Sequence, residues 1–138
     1  MTKGAYPVPR EDADNAAFLD AWRNGRLLLQ TCDSCGKVIF YPRPLCPYCW
    51  SDRMVSCEAK GTGRIVSYSL VYRPNDPAFN DEVPIVLAEV ELTEGASLIA
   101  RIVECLPEHV RSGRTVELPA LPTRLRYPLP VFRLLSNA

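Results

Sequence analysis

Residues 32–50 read CDSCGKVIFYPRPLCPYCW. Cys32, Cys35, Cys46 and Cys49 form two Cys-x-x-Cys pairs with ten residues between them. That spacing lets four sulfurs converge on one tetrahedral centre. Each pair sits in a tight turn, with Gly36 directly after the first and Pro47 inside the second. Backbone amides must turn toward the sulfurs, and Gly36 has the left-handed conformation open to it. Trp50 holds the matching place after the second pair, where it either distorts the knuckle or covers the metal. Four thiolates suit Zn²⁺ and, less well, iron. Protein fills all four positions, so the expected ion is structural and holds together a module too small for its own core. The competing reading is two disulfides or four free thiols. It is weak, because Met-Thr-Lys-Gly at the start is no targeting segment and a cytosolic chain keeps its thiols reduced.

One hairpin fills the interval between the pairs: Lys37 to Tyr41 outward, then Pro42-Arg43-Pro44 back. Upstream, RLLLQT (26–31) reads as a strand whose three leucines need cover on both faces. Before it, Asp12 or Asp14 caps a helix starting near Ala13, and Asn24-Gly25 ends it. Phe18 and Trp22 lie four apart on one face. These two aromatics bury either against the ribbon or in a partner protein. Residues 1–11 read as extended or mobile.

The ribbon closes near Cys57, and Gly61 and Gly63 mark a joint. Beyond it the period is two. Val66, Tyr68, Leu70 and Tyr72 share one face of a first strand. Val86, Ala88, Val90 and Leu92 share the inner face of a second. Thr93-Glu94-Gly95-Ala96 is a hairpin turn, and Ser97–Val103 returns. Pro107–Ser112 gives a helical turn, Thr115–Leu118 a fourth strand, and Leu129–Leu135 a fifth. Five short strands with a helical turn after the third match an OB-fold barrel. An SH3-like barrel is the competitor. The predicted class is mainly β: an N-terminal extension and helix (1–25), a rubredoxin-like zinc ribbon (26–60) and a five-stranded OB barrel (61–138).

The chain has 138 residues, and its 16 basic and 16 acidic residues cancel. A nucleic-acid binder usually carries a basic excess. Here the loop Pro74–Pro84 carries Asp76, Asp81 and Glu82, which repel phosphate. No stretch is apolar and long enough to span a membrane. Cys57 and Cys105 fall outside the metal pattern and read as small buried apolar residues. The one histidine, His109, lies in a polar stretch and reads as exposed. No activated Ser or Cys, close carboxylate pair or phosphate loop is legible, so no catalytic residue is assigned. A nucleic-acid-binding ribbon–OB protein and a rubredoxin-like iron electron carrier remain as alternatives.

Taken in order, FLDAWRNGRLLLQTCDSCG, YPRPLCPYC, GTGRIVSYSLVYRP, PIVLAEVELTEGASLIARIV, SGRTVEL and LPVFRL resemble the acyl-CoA-associated OB-fold family with an N-terminal zinc ribbon. These are small accessory subunits of thiolase-like enzymes. The thiols and the start of the chain read as cytoplasmic, and the resemblance implies a non-catalytic subunit that binds a thiolase, aldolase or acyltransferase, or a hydratase. It implies shielding of an acyl-CoA site at the shared interface, with the chemistry on the large subunit. Phe18, Trp22, Phe40, Tyr41 and Arg43 are then the expected contacts. Arg43, at the ribbon tip, would meet a CoA phosphate or a partner carboxylate.

Overall fold

The computed structural model describes residues 6–135, so the expected N-terminal extension is seen from Tyr6 onward. Helix α1 spans Ala16–Arg23, starting three residues later than expected. The reason lies in where Asp12 spends its carboxylate. Its Oδ1 accepts the amides of Asp14 and Asn15, each at 2.9 Å, and so caps a turn ahead of the helix. The far end matches expectation. Gly25 donates to Trp22 O at 2.8 Å and Arg26 to Ala21 O at 2.9 Å, the paired bonds of a Schellman end.

Arg26 is thereby held in the helix end, and strand β1 begins only at Leu28, running Leu28–Cys32. It lies between β2 (Val38–Ile39) and β3 (Met54–Glu58), antiparallel to both. Leu27 and Leu29 are buried and Leu28 half-buried, so both faces are covered as the leucine run requires.

The second sheet is a closed barrel of β4 (Thr62–Val71), β5 (Ile85–Leu92), β6 (Ser97–Val103), β7 (Thr115–Glu117) and β8 (Val131–Leu134). Its strand order is β4-β5-β6-β8-β7. The β6–β8 pair is parallel, and β7 closes the ring against β4. That five-stranded closure, with a 3₁₀ turn at Pro107–His109 between the third and fourth strands, is the OB-fold and excludes the SH3-like alternative.

Strands β5 and β6 keep the predicted alternation, with Val86, Ala88, Val90, Leu92, Leu98, Ala100 and Ile102 all buried. Strand β4 does not. A bulge between Ile65 and Ser67 resets its register, so Ile65 is the buried residue while Val66 and Tyr68 are 43% and 40% exposed. Tyr68 and Leu70 still pair with inward-facing Ala88 and Val86, but Tyr72 lies past the strand and is exposed. A bulge adds one residue to one strand only, which a strict period of two cannot foresee. Two further differences concern the lone cysteines and one loop. Cys57 and Cys105 are half-buried rather than core residues. The stretch between the fourth and fifth strands, residues 119–130, contains a helical turn, α2 (Leu121–Arg124), with Pro122 in its first turn, where no amide is missed. Arg124 ties it down, donating from Nε to Pro119 O at 2.6 Å and from Nη1 to Gly25 O at 2.8 Å.

The core is continuous from helix to ribbon to barrel. Phe18, Trp22, Leu27 and Leu29 belong to one apolar cluster with Val90, Val116 and Phe132.

Candidate metal centre and docking face

The two knuckles are built alike. In the first, Cys32 donates to Lys37 O at 2.9 Å and Gly36 to Cys32 O at 2.8 Å. In the second, Cys46 donates to Ser51 O and Trp50 to Cys46 O, both at 2.9 Å. Amides also point at sulfur: Cys35 N lies 3.4 Å from Cys32 Sγ and Tyr48 N 3.4 Å from Cys46 Sγ. Gly36 has φ +78° and Trp50 φ +66°. Trp50 thus takes the left-handed conformation that glycine holds in the first knuckle, and the second knuckle stays undistorted. The cost falls on the Trp50 backbone. Its side chain is 75% exposed, not buried over the sulfurs. A hydrogen bond of 2.8 Å between Ser34 Oγ and Ser51 Oγ ties the two turns together.

The four Sγ atoms lie within 4.8 Å of one another. Cys32–Cys49 is 3.5 Å and Cys35–Cys46 is 3.7 Å. A metal–sulfur bond of about 2.3 Å gives a tetrahedron with edges of about 3.8 Å, so the cage fits an ion of that size. Electrostatics agree. The Cys32 thiol is held down to about 6, first by the Cys35 amide. For Cys49 the Ser51 amide pulls downward, but the proton shared with Cys32 and burial together push it up to about 12. Crowded thiols cannot all ionise unless a cation balances them, and a bound ion supplies that balance. Cys32 and Cys46 are buried; Cys35 and Cys49 are exposed.

Of the five expected contact residues, two are used up inside the chain. Phe18 and Trp22 are each only 1% exposed. Phe18 packs edge-on against Phe40 at 5.3 Å and Tyr41 at 5.4 Å. The Trp22 indole donates from Nε1 to Tyr127 O at 2.8 Å. The helical stripe therefore packs on the ribbon and the barrel loop of its own chain. Phe40 and Tyr41 are half-buried, and Arg43 is exposed. The Arg43 amide donates to Gln30 Oε1 at 2.8 Å, which fixes the tip while leaving the guanidinium outward. His109 is exposed, as expected.

Sequence reading missed a second assembly, on the barrel face next to β5 and β6. The loops after β4 and after β7 approach each other there and border an apolar cleft of about 470 Å³. Phe79, Glu82 and Tyr127 stand in those loops, and Arg101 projects from β6. Nothing in local sequence pattern announces that these four meet, because they come from three separate segments.

Known proteins match most of the chain. Residues 19–55 match the ChsH2 rubredoxin-like zinc ribbon domain, and residues 57–120 match the ChsH2 C-terminal OB-fold domain. This chain belongs to the ChsH2 family. A solved chain of the Ltp2-ChsH2(DUF35) aldolase superposes on this ChsH2-family chain with a TM-score of 0.76 at 38% identity, covering 91% of this chain and 98% of that one. A probable enoyl-CoA hydratase alpha subunit from Thermomonospora curvata is 39% identical over 95% of this chain and 40% of its own length. A DUF35 domain-containing scaffold protein from Methanothermobacter thermautotrophicus is 41% identical over 63% of this chain and 65% of its own. The chain thus spans less than two thirds of the length of these two relatives. Among the described residues no helix is long and apolar enough to cross a membrane.

Proposed function

We propose that this chain is a non-catalytic accessory subunit of a thiolase-like complex, of thiolase, aldolase or acyltransferase type, acting on acyl-CoA or related acyl thioesters. It shapes the substrate site and stabilises the large subunit, which makes or breaks the carbon–carbon bond. The observation that carries this reading is the match along 98% of a solved chain of the Ltp2-ChsH2(DUF35) aldolase. The site chemistry supports it. Four protein sulfurs fill a tetrahedral ion's positions, so the ion is structural, and Zn²⁺ is the ion that best suits the donor set. The unpaired cysteines fit a reducing compartment, the cytoplasm.

The ribbon tip supplies the docking face: the exposed edges of Phe40 and Tyr41, with the guanidinium of Arg43. An outward arginine on a fixed backbone suits a CoA phosphate or a partner carboxylate.

Co-expression with a thiolase-like protein from the same source tests the proposal. The two chains should elute together as a hetero-oligomer. Arg43→Ala should weaken that complex while leaving the chain's own melting nearly unchanged, since surface changes usually stay within about 0.5 kcal/mol. A chain that stays monomeric beside such proteins, and leaves their activity unaltered, defeats the reading.

A further inference from the structure

Tyr6, Pro7, Val8 and Pro9 cross the barrel surface between two clefts. One, of about 470 Å³, has walls of Val71, Ile85, Leu87 and Ile99. The other, of about 640 Å³, runs along Leu19, Trp22 and Leu125. Tyr6 and Tyr127 line both. The Tyr6 ring stacks on Phe79 at 5.2 Å with 24° between the planes, and on Tyr127 at 5.4 Å with 21°. Its hydroxyl donates to Glu82 Oε2 at 2.5 Å.

The acceptor is itself held in place. Arg101 Nη1 donates to Glu82 Oε1 at 2.5 Å, and both side chains are mostly buried, 17% and 14% exposed. The Arg101 guanidinium lies over the Tyr127 ring at 5.6 Å, and its buried Nε has no hydrogen-bond partner. The slot therefore has two flat apolar faces and, at its end, a carboxylate oxygen oriented by an arginine. Flat faces select a ring, and the carboxylate selects a ring that carries a donor. Pro7 and Pro9 have no amide to donate, and the Tyr6 ring and hydroxyl tie the strap to this face.

We propose that the slot formed by Phe79, Tyr127 and Glu82 is a binding site for a hydroxyaryl group, which Tyr6 fills in cis as an exchangeable strap. An incoming hydroxyaryl ring inherits both stacking faces and the Glu82 acceptor. Displacing Tyr6 also removes one of the residues that line both clefts, while Tyr127 and Pro128 remain between them. This site is separate from the ribbon tip assigned to docking, so it stands or falls independently of that assignment.

The test is fluorescence titration of the full, metal-loaded chain with β-naphthol, in the parent and in Tyr6→Ala. Emptying the slot should tighten binding at least about tenfold, the scale of one ring stack plus one hydrogen bond. Phe79→Ala added to Tyr6→Ala should abolish the gain, and naphthalene, lacking the hydroxyl, should show a smaller one. Equal affinity of parent and Tyr6→Ala, or a gain that survives Phe79→Ala, overturns the proposal. So does loss of cooperative melting in Tyr6→Ala, because Tyr6 would then be a core residue and not a strap.

Discussion

Phe18→Ala separates a core helix from a docking helix. Phe18 is 1% exposed and touches two other rings at 5.3 and 5.4 Å. Truncating a phenylalanine so placed costs about 3–5 kcal/mol, from lost transfer energy and the cavity left behind. Part of that is the edge-on ring geometry, about 0.5–1.5 kcal/mol per pair. A domain of ordinary stability holds about 5–15 kcal/mol in all, so the variant would keep a fraction of it. At about 3–5 °C per kcal/mol for a chain of this length, the midpoint should fall by about 10–20 °C. Calorimetry on the metal-loaded chain reads this directly, with metal content as the control. If Phe18 were a partner anchor, the isolated chain would lose almost nothing and only the complex would weaken. An unchanged midpoint beside a weakened complex would refute the packing described above.

Cys46→Ser should leave less than one metal per chain and an unfolded ribbon, since a four-thiolate cage has no spare ligand; full metal content by elemental analysis would contradict this. Gly36→Ala isolates backbone strain, because φ is +78° and nothing lies within 4 Å of the added carbon. It should cost about 1–2 kcal/mol with metal retained, and a neutral result in a thermal melt would show that the knuckle relaxes. Burial raises both the Cys105 thiol and the Tyr127 hydroxyl above their ordinary values. Their neutral forms are favoured in the fold. That contribution is whole below the ordinary pKa values and lost as pH rises through the raised ones. The melting midpoint should therefore fall on the alkaline side, above about pH 9, and Cys105 should react more slowly with a disulfide reagent than free cysteine does. A flat alkaline profile would count against both.

The metal cage was legible because its information is local: four ligands within eighteen residues, and a turn after each pair. The barrel strands were legible wherever one face is buried along their whole length, as in β5 and β6. Legibility failed where tertiary position overrides pattern. The spacing of Phe18 and Trp22 shows that they share a face but not what covers it, and the cover is the ribbon turn and the Tyr127 carbonyl, 105 residues away from Trp22. The bulge in β4 is invisible to a period of two. Asp12 has the right chemistry for a cap, and the structure uses it one turn earlier. The slot around Tyr6 draws on the N-terminal strap, two loops and one strand, and no local motif could assemble it.

The central claim is that this chain docks and leaves bond-making to another polypeptide. The most direct measurement is turnover of acyl-CoA thioesters by the isolated, metal-loaded chain, followed by the same assay with a thiolase-like partner added. The account predicts no turnover alone and turnover only with the partner present. Sustained turnover by the isolated chain would contradict it.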